Sequence, residues 1–141
     1  MTVEHLFTMT AGFSYDVSSP AVKACQAATD GKCPTREFMK YLAKEPLLFE
    51  PGDQYKYSLC HDVLAALVEV LSGQKFEIYV KEHIFNPLGM ENSDFLHPME
   101  DWNGFARQFC YNSKTGEYEP RWTNAYRPGK EYASGGAGCV S

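Results

Sequence analysis

The sequence predicts a mainly α-helical domain with one small β-hairpin. Apolar residues recur at helical spacing in the middle of the chain, at Val63, Leu64, Leu67, Val68 and Leu71. Short amphipathic segments precede this stretch, and an aromatic region interrupted by Asn, Ser, Thr and Gly follows it. A chain of 141 residues is expected to form one domain with a core of its own.

Three short helices are expected before the central one. Thr2 is a candidate N-cap for a helix from Val3 to about Met9, and Ser14 to Pro20 reads as a turn-rich loop. A second helix is predicted over Ala21–Ala28. Thr35 is a candidate cap for the third, whose apolar positions are Phe38, Met39, Leu42 and Ala43.

The central helix is expected to follow a tight turn at Pro51-Gly52 and to bury its Val and Leu stripe. Ser58 is the predicted N-cap, and Asp62 adds negative charge to the first turn. Gly73 should end the helix in the left-handed conformation. A partner helix is predicted from Phe76 to Phe85, followed by a hairpin with strands Phe105–Tyr111 and Tyr118–Thr123. Aromatic side chains near the hairpin either line a substrate groove or pack under loops, namely Trp102, Trp122, Tyr126 and Tyr132.

Charge and composition exclude several function classes. The net charge of −5, without a basic stripe, argues against nucleic-acid binding. No apolar run is long enough to cross a membrane, no histidine pair has metal-ligand spacing, and no phosphate loop or other cofactor motif is present. Five cysteines without C-x-x-C spacing favour reduced thiols in a cytoplasmic protein, with a Cys25–Cys33 disulfide as the alternative.

Tyr57 is the candidate catalytic residue, because it lies just before the central helix. The positive end of a helix dipole favours a phenolate, lowering a pKa that starts near about 10. This effect amounts to less than about one pKa unit, so a working phenolate also needs a cation such as a lysine.

Four stretches resemble the serine hydrolases that include class C β-lactamases, D-Ala-D-Ala carboxypeptidases and related esterases. Thr2–Phe13 is similar to the family's T-x-x-H-L-L-T-H-T-S-G segment, and Phe49–Leu59 to its F-x-P-G-x-x-Y-x-Y-S-N segment. Glu82–Met90 is similar to I-F-x-P-L-G-M, and Ser134–Ser141 to the start of G-G-L-x-S-T. The resemblance implies the helical subdomain of the β-lactamase/transpeptidase-like α/β fold.

The resemblance also implies a nucleophilic serine and a lysine in S-x-x-K, with a tyrosine as base or proton shuttle and a K-T-G-like strand. Tyr57 is the one such group expected here. We therefore expect residues 1–141 to be a single helical subdomain, a fragment whose S-x-x-K segment lies upstream and whose K-T-G-like strand lies downstream. Alone it is expected to be inactive.

Matches to both missing motifs occur in the wrong context. Ser72-Gly73-Gln74-Lys75 spells S-x-x-K but falls on the predicted helix stop, and Lys114-Thr115-Gly116 spells K-T-G inside the predicted hairpin loop. Independent catalysis by Ser72 is the hypothesis ranked last. His5 is expected to be a structural histidine that makes a local hydrogen bond.

Leu59 departs from the family pattern, where lactamases have an Asn that binds substrate. With Ser58 it is a candidate substrate-binding residue. Its apolar side chain argues against recognition of a β-lactam or peptide amide and favours an esterase-like or broadly hydrolytic relative. The predicted function is ester or amide hydrolysis by acyl transfer in the parent protein. The alternative is a non-catalytic binding or scaffold module, and exposed apolar surface would favour a homodimer.

Overall fold

The computed structural model describes residues 1–95, 108–121 and 133–136. Most of the regular structure in these ranges is helical. The helices are α1 (Val3–Phe7), α2 (Pro20–Ala28), α3 (Thr35–Leu42), α4 (Cys60–Ser72) and α5 (Phe76–Val80), and a π-helical turn (Lys81–Phe85) continues α5. Strands β1 (Gln108–Asn112) and β2 (Glu117–Arg121) form an antiparallel hairpin with Tyr111 opposite Tyr118. The predicted class, mainly α with a small hairpin, is confirmed.

Local capping sets the start of the first two helices but not of the third. The Thr2 hydroxyl accepts a hydrogen bond from the His5 amide at 3.4 Å, as predicted. Ser19 caps α2 in the same way. The cap predicted at Thr35 is wrong, because α3 begins at Thr35 itself and its hydroxyl is bonded to the Ala133 backbone instead.

The buried face of α4 differs from the predicted Val and Leu stripe. Leu71 is 78% exposed, and the other members of the stripe are only half-buried. The buried positions are mostly small or polar, namely Cys60, Asp62, Ala65, Ala66 and Glu69. Backbone segments approach this face closely, since a Cβ added at Gly135 would lie 3.1 Å from the Ala65 Cβ. Small residues are therefore needed where the stripe pattern would have placed large ones.

The start of α4 lies between two apolar clusters. One consists of Leu6, Met9, Ala11 and Cys60, and the other of Cys25, Phe38, Leu42 and Leu59. Consecutive residues, Leu59 and Cys60, thus enter different clusters. This packing holds the chain on both sides of the helix start and so fixes the segment that carries Tyr57.

Both chance motif matches lie where the sequence placed them. Gly73 ends α4 with φ +74°, and the Ser72 hydroxyl donates to the Val68 carbonyl at 2.7 Å. Lys75 therefore follows the end of the helix that contains Ser72. Lys114-Thr115-Gly116 forms the turn between β1 and β2, where the Gly116 amide donates to the Asn112 carbonyl at 2.8 Å.

The described cysteines are free thiols, namely Cys25, Cys33, Cys60 and Cys110. The alternative of a Cys25–Cys33 disulfide is not adopted. Burial, followed by the neighbouring Cys33 thiol, raises the pKa of Cys25 to about 11, so that Cys25 stays protonated at neutral pH. Cys139 and the aromatic residues Trp102, Trp122, Tyr126 and Tyr132 lie outside the described residues.

We expect Glu77→Gln to remove a pH dependence from the free energy of unfolding. Burial raises the pKa of the Glu77 carboxyl, and the charges of Glu69 and Asp94 raise it further. A hydrogen bond from its own backbone N–H and the charge of Lys75 lower the pKa in part. As pH rises above the ordinary pKa of a glutamate side chain, the unfolded chain loses this proton before the folded chain does. Stability therefore falls across that window, and the variant should lose less stability than the wild type in urea titrations between about pH 4 and about pH 7.

The matched control is Glu91→Gln, which neutralises an exposed carboxylate. Its unfolding curve should follow that of the wild type at both ends of the pH range. An equal effect of the two substitutions would show that net charge, and not the burial of Glu77, causes the pH dependence.

Candidate active site

Tyr57 lies in the extended segment before α4 and faces Tyr15. The two ring centroids are 5.0 Å apart with an interplanar angle of 53°. About half of each side chain is exposed, 54% for Tyr57 and 47% for Tyr15. The pair is thus accessible to solvent while one ring packs on the other.

Backbone hydrogen bonds between two loops bring the tyrosines together. The Leu48 amide donates to the Gly12 carbonyl at 2.8 Å, and the Lys56 amide to the Met9 carbonyl at 2.9 Å. Next to the pair, the Leu59 amide donates to the Ser14 carbonyl at 3.4 Å. The loop that precedes α4 is therefore held along the loop that follows α1.

The predicted tight turn at Pro51-Gly52 is present and packs on α1. The Asp53 amide donates to the Glu50 carbonyl at 3.1 Å, with Gly52 at φ +103°. The His5 ring lies beneath, since its Nε2 would be 3.4 Å from a Cβ on Gly52. His5 Nδ1 is buried without a hydrogen-bond partner in the described structure, so the local bond predicted for His5 is not made by that nitrogen.

The surroundings of the pair change the acidity of the Tyr15 hydroxyl. Burial raises the pKa of the Tyr15 hydroxyl above its ordinary value, and the charges of Tyr57 and then Asp62 raise it further, as does a hydrogen bond with Tyr57. Tyr15 accordingly keeps its proton to a higher pH than an ordinary tyrosine does.

Ser58 turns inward, so the N-cap prediction is wrong. Its hydroxyl is 3.0 Å from the Cys60 sulfur and 3.9 Å from the Met9 sulfur, and Leu59 occupies the cap position without a side-chain bond. The reason is tertiary packing, because the apolar clusters draw both residues into the core. Ser58 is 3% exposed and Leu59 6% exposed, and their role in substrate binding stays a prediction.

Asp62 joins the first turn of α4 to a distant segment. Its carboxylate accepts a hydrogen bond from the Ser134 hydroxyl at 2.5 Å, and the side chain is 5% exposed. Gly135 lies against the same turn, where an added Cβ would be 1.9 Å from the His61 carbonyl oxygen. The Ala133–Gly136 segment therefore packs on the first turn of α4.

The lysine contacts that are defined lie away from the tyrosine pair. Lys40 Nζ is bonded to Glu37 and Lys81 Nζ to Asp94, while Lys44 lies over the Tyr41 ring. In residues 1–95, 108–121 and 133–136, no group of His, Cys, Asp or Glu is arranged to hold a metal ion. Nor is any helix in those ranges long and apolar enough to cross a membrane.

Sequence reasoning found Tyr57 but missed Tyr15 and the Asp62–Ser134 bond. Tyr15 falls in a turn-rich loop, and its partner is 42 positions away, so no local pattern marks it. Asp62 was noticed as a first-turn charge. The burial that distinguishes it from a solvated carboxylate depends on Ser134, which is 72 positions further along.

Comparisons with known proteins agree with this geometry. Esterase EstB of Burkholderia gladioli is 35% identical over 103 residues, which is 68% of this chain and 26% of EstB. The structure of EstCE1, a hydrolase with promiscuous acyltransferase activity, superposes with a TM-score of 0.78 at 25% identity over 99% of this chain and 42% of that one. A mutant of simvastatin synthase from Aspergillus terreus gives 0.73 at 27% identity, over 99% of this chain and 32% of that one.

The match extends over the whole sequence, although the relatives are longer. The chain spans about a quarter of the length of EstB and less than half of EstCE1. The family model described as Beta-lactamase matches residues 1–141. With the helical architecture, the hairpin and the Tyr57 segment in place, the chain belongs to the beta-lactamase family of hydrolases and acyltransferases.

Proposed function

We propose that the chain supplies the tyrosine side of an acyl-transfer site that hydrolyses esters or amides. The observation that carries this proposal is the Tyr15–Tyr57 pair at the start of α4, with ring centroids 5.0 Å apart and Asp62 close enough to influence Tyr15. The serine nucleophile and its lysine come from an S-x-x-K helix outside residues 1–141. That lysine is the cation that a phenolate at Tyr57 requires.

In this site Tyr57 moves a proton during acyl transfer. Its oxygen accepts the proton of the attacking serine, directly or by way of the lysine, and returns it to the leaving group. Tyr15 packs on the Tyr57 ring at a centroid distance of 5.0 Å and holds that ring in place. Exposure of both rings leaves room for the acyl group to reach the serine.

Leu59 favours an ester over a β-lactam as the substrate. An apolar side chain cannot provide the amide hydrogen bonds that an Asn would make to a substrate, and Leu59 is committed to the core cluster with Cys25 and Phe38. Similarity to an esterase at 35% identity supports the same choice. We therefore propose a small activated ester as the preferred substrate class.

Hydrolysis of an activated aryl ester and of a chromogenic cephalosporin tests the proposal. We expect the chain alone, and its Ser72→Ala variant, to show no turnover above background. A polypeptide that joins the chain to an upstream S-x-x-K helix should hydrolyse the ester faster than the cephalosporin, with Ser72→Ala unchanged in rate.

Two results would contradict the proposal. Turnover by the chain alone that disappears in Ser72→Ala would make Ser72 the nucleophile. Absence of turnover in a folded, longer polypeptide would favour the alternative of a binding or scaffold module.

A further inference from the structure

The Ala133–Gly136 segment is fastened to the helical core at two points. At the first, the Thr35 hydroxyl donates to the Ala133 carbonyl at 3.1 Å and accepts from the Ala133 amide at 3.0 Å. At the second, the Ser134 hydroxyl donates to Asp62 Oδ1 at 2.5 Å and accepts from the Gly136 amide at 3.2 Å. Thr35 and Ala133 are almost fully buried, at 2% and 1% exposure.

The two points differ in charge and in position. Thr35 is a neutral anchor at the start of α3, whereas Asp62 is a carboxylate in the first turn of α4, five residues after Tyr57. Removing a carboxylate from water costs free energy unless hydrogen bonds compensate, and both the Ser134 hydroxyl and the helix N-terminus favour its charge. Asp62 thus supplies a charged contact between this segment and the first turn of α4.

Steric fit makes the second contact specific. Gly135 packs on the His61 carbonyl so closely that a Cβ would be 1.9 Å from its oxygen. Gly136 lies beside the His61 side chain, where an added Cβ would be 3.3 Å from the His61 Cβ. A side chain at Gly135 would therefore prevent the segment from packing here, next to the Ser134–Asp62 bond.

We propose that Asp62 is a positioning residue, which holds the Ala133–Gly136 segment on the first turn of α4, the helix that follows the Tyr57 segment, through its bond to Ser134. The place of the segment then depends on a carboxylate whose charge also acts on Tyr15. The catalytic consequence rests on the proposed function. The positional claim does not, because it concerns contacts within this chain.

Hydrogen exchange of the Ala133 amide in the full chain tests the positional claim. This amide is bonded to Thr35 and not to Ser134, so its exchange reports on the whole segment. We expect Asp62→Asn and Ser134→Ala each to increase its exchange rate by about tenfold or more, and the double variant to add little to either, since both remove one charge-assisted bond. Unchanged exchange in Ser134→Ala, or fully additive effects, would overturn the proposal.

Tyrosine titration by carbon-labelled NMR separates positioning from a loss of packing. Asp62→Asn removes a negative charge near Tyr15 and should lower the pKa of that hydroxyl. Thr35→Val loosens the same segment at its other end and should leave Tyr15 unchanged. A Tyr15 titration that moves equally in Asp62→Asn and Thr35→Val would show that Asp62 acts only through stability.

A separate activity measurement distinguishes this proposal from the proposed function. In a polypeptide that includes an upstream S-x-x-K helix, Asp62→Asn should lower kcat by about tenfold or more and Asp62→Glu should restore part of it. If Tyr57→Phe leaves activity intact while the exchange results stand, the proposed function fails and the positional claim holds. If exchange is unchanged while Tyr57→Phe is inactive, the positional claim fails alone.

Discussion

Tyr57→Phe is expected to lower kcat/KM for an activated ester by on the order of 10²–10⁴-fold, the usual contribution of a positioned acid–base group. The substitution removes one oxygen and keeps the ring that packs on Tyr15 at a centroid distance of 5.0 Å. The loss should therefore fall on proton transfer and not on folding. Steady-state kinetics of a polypeptide that joins this chain to an upstream S-x-x-K helix provide the measurement.

Tyr55→Phe is the matched control for this prediction. Tyr55 belongs to the same loop and is more exposed, at 71% against 54% for Tyr57, and we assign it no contact with the pair. Removing the Tyr55 hydroxyl should change kcat/KM by less than about twofold, since substitutions of exposed groups outside a site are near neutral. Equal losses in both variants would mean that the loop as a whole, and not the Tyr57 oxygen, supports turnover.

Gly12→Ala is expected to destabilise the chain by on the order of 3 kcal/mol. Gly12 has φ +87°, and a Cβ there would lie 2.5 Å from the Phe49 carbonyl oxygen. Both the backbone strain and the clash fall on the two paired loops, where the Gly12 carbonyl accepts from Leu48. Urea unfolding followed by circular dichroism should show a lower midpoint with the same slope.

Gly31→Ala separates strain from clash. Gly31 has a similar φ of +77°, but nothing lies within 4 Å of an added Cβ. This control should cost only about 1 kcal/mol, the price of a left-handed non-glycine residue. Similar midpoints for the two variants would contradict close packing between Gly12 and Phe49, and with it the loop pairing that places Tyr57.

Several features of this protein follow from short-range sequence patterns. The Thr2 cap, the left-handed stop at Gly73, the turn at Pro51-Gly52 and the hairpin turn at Lys114–Gly116 each depend on neighbours within a few positions. Such signals survive in any tertiary context because they satisfy backbone groups locally. The Tyr57 segment was found in the same way, from its place before a helix and its similarity to a family motif.

Tertiary contacts decided which of the predicted helix caps form. Ser58 and Thr35 are good caps by residue type, yet their hydroxyls bond to Cys60 and Met9 in one case and to Ala133 in the other. A hydroxyl can make only a few hydrogen bonds. Leaving a buried polar group without a partner costs more free energy than leaving a helix end that other residues or water can satisfy.

The buried face of α4 and the site around Tyr57 were decided over still longer distances. Periodicity marked the large apolar residues of α4, but close backbone approach at Gly135 selected small and acidic ones for burial. Tyr15 and Ser134 reach the site from 42 positions before Tyr57 and 77 after it. The sequence by itself thus determined the helices, the turns and the segment that carries Tyr57, while only the folded chain brought Tyr15 and the Ser134–Asp62 contact to that part of the core, because contacts between distant segments leave no periodic signal.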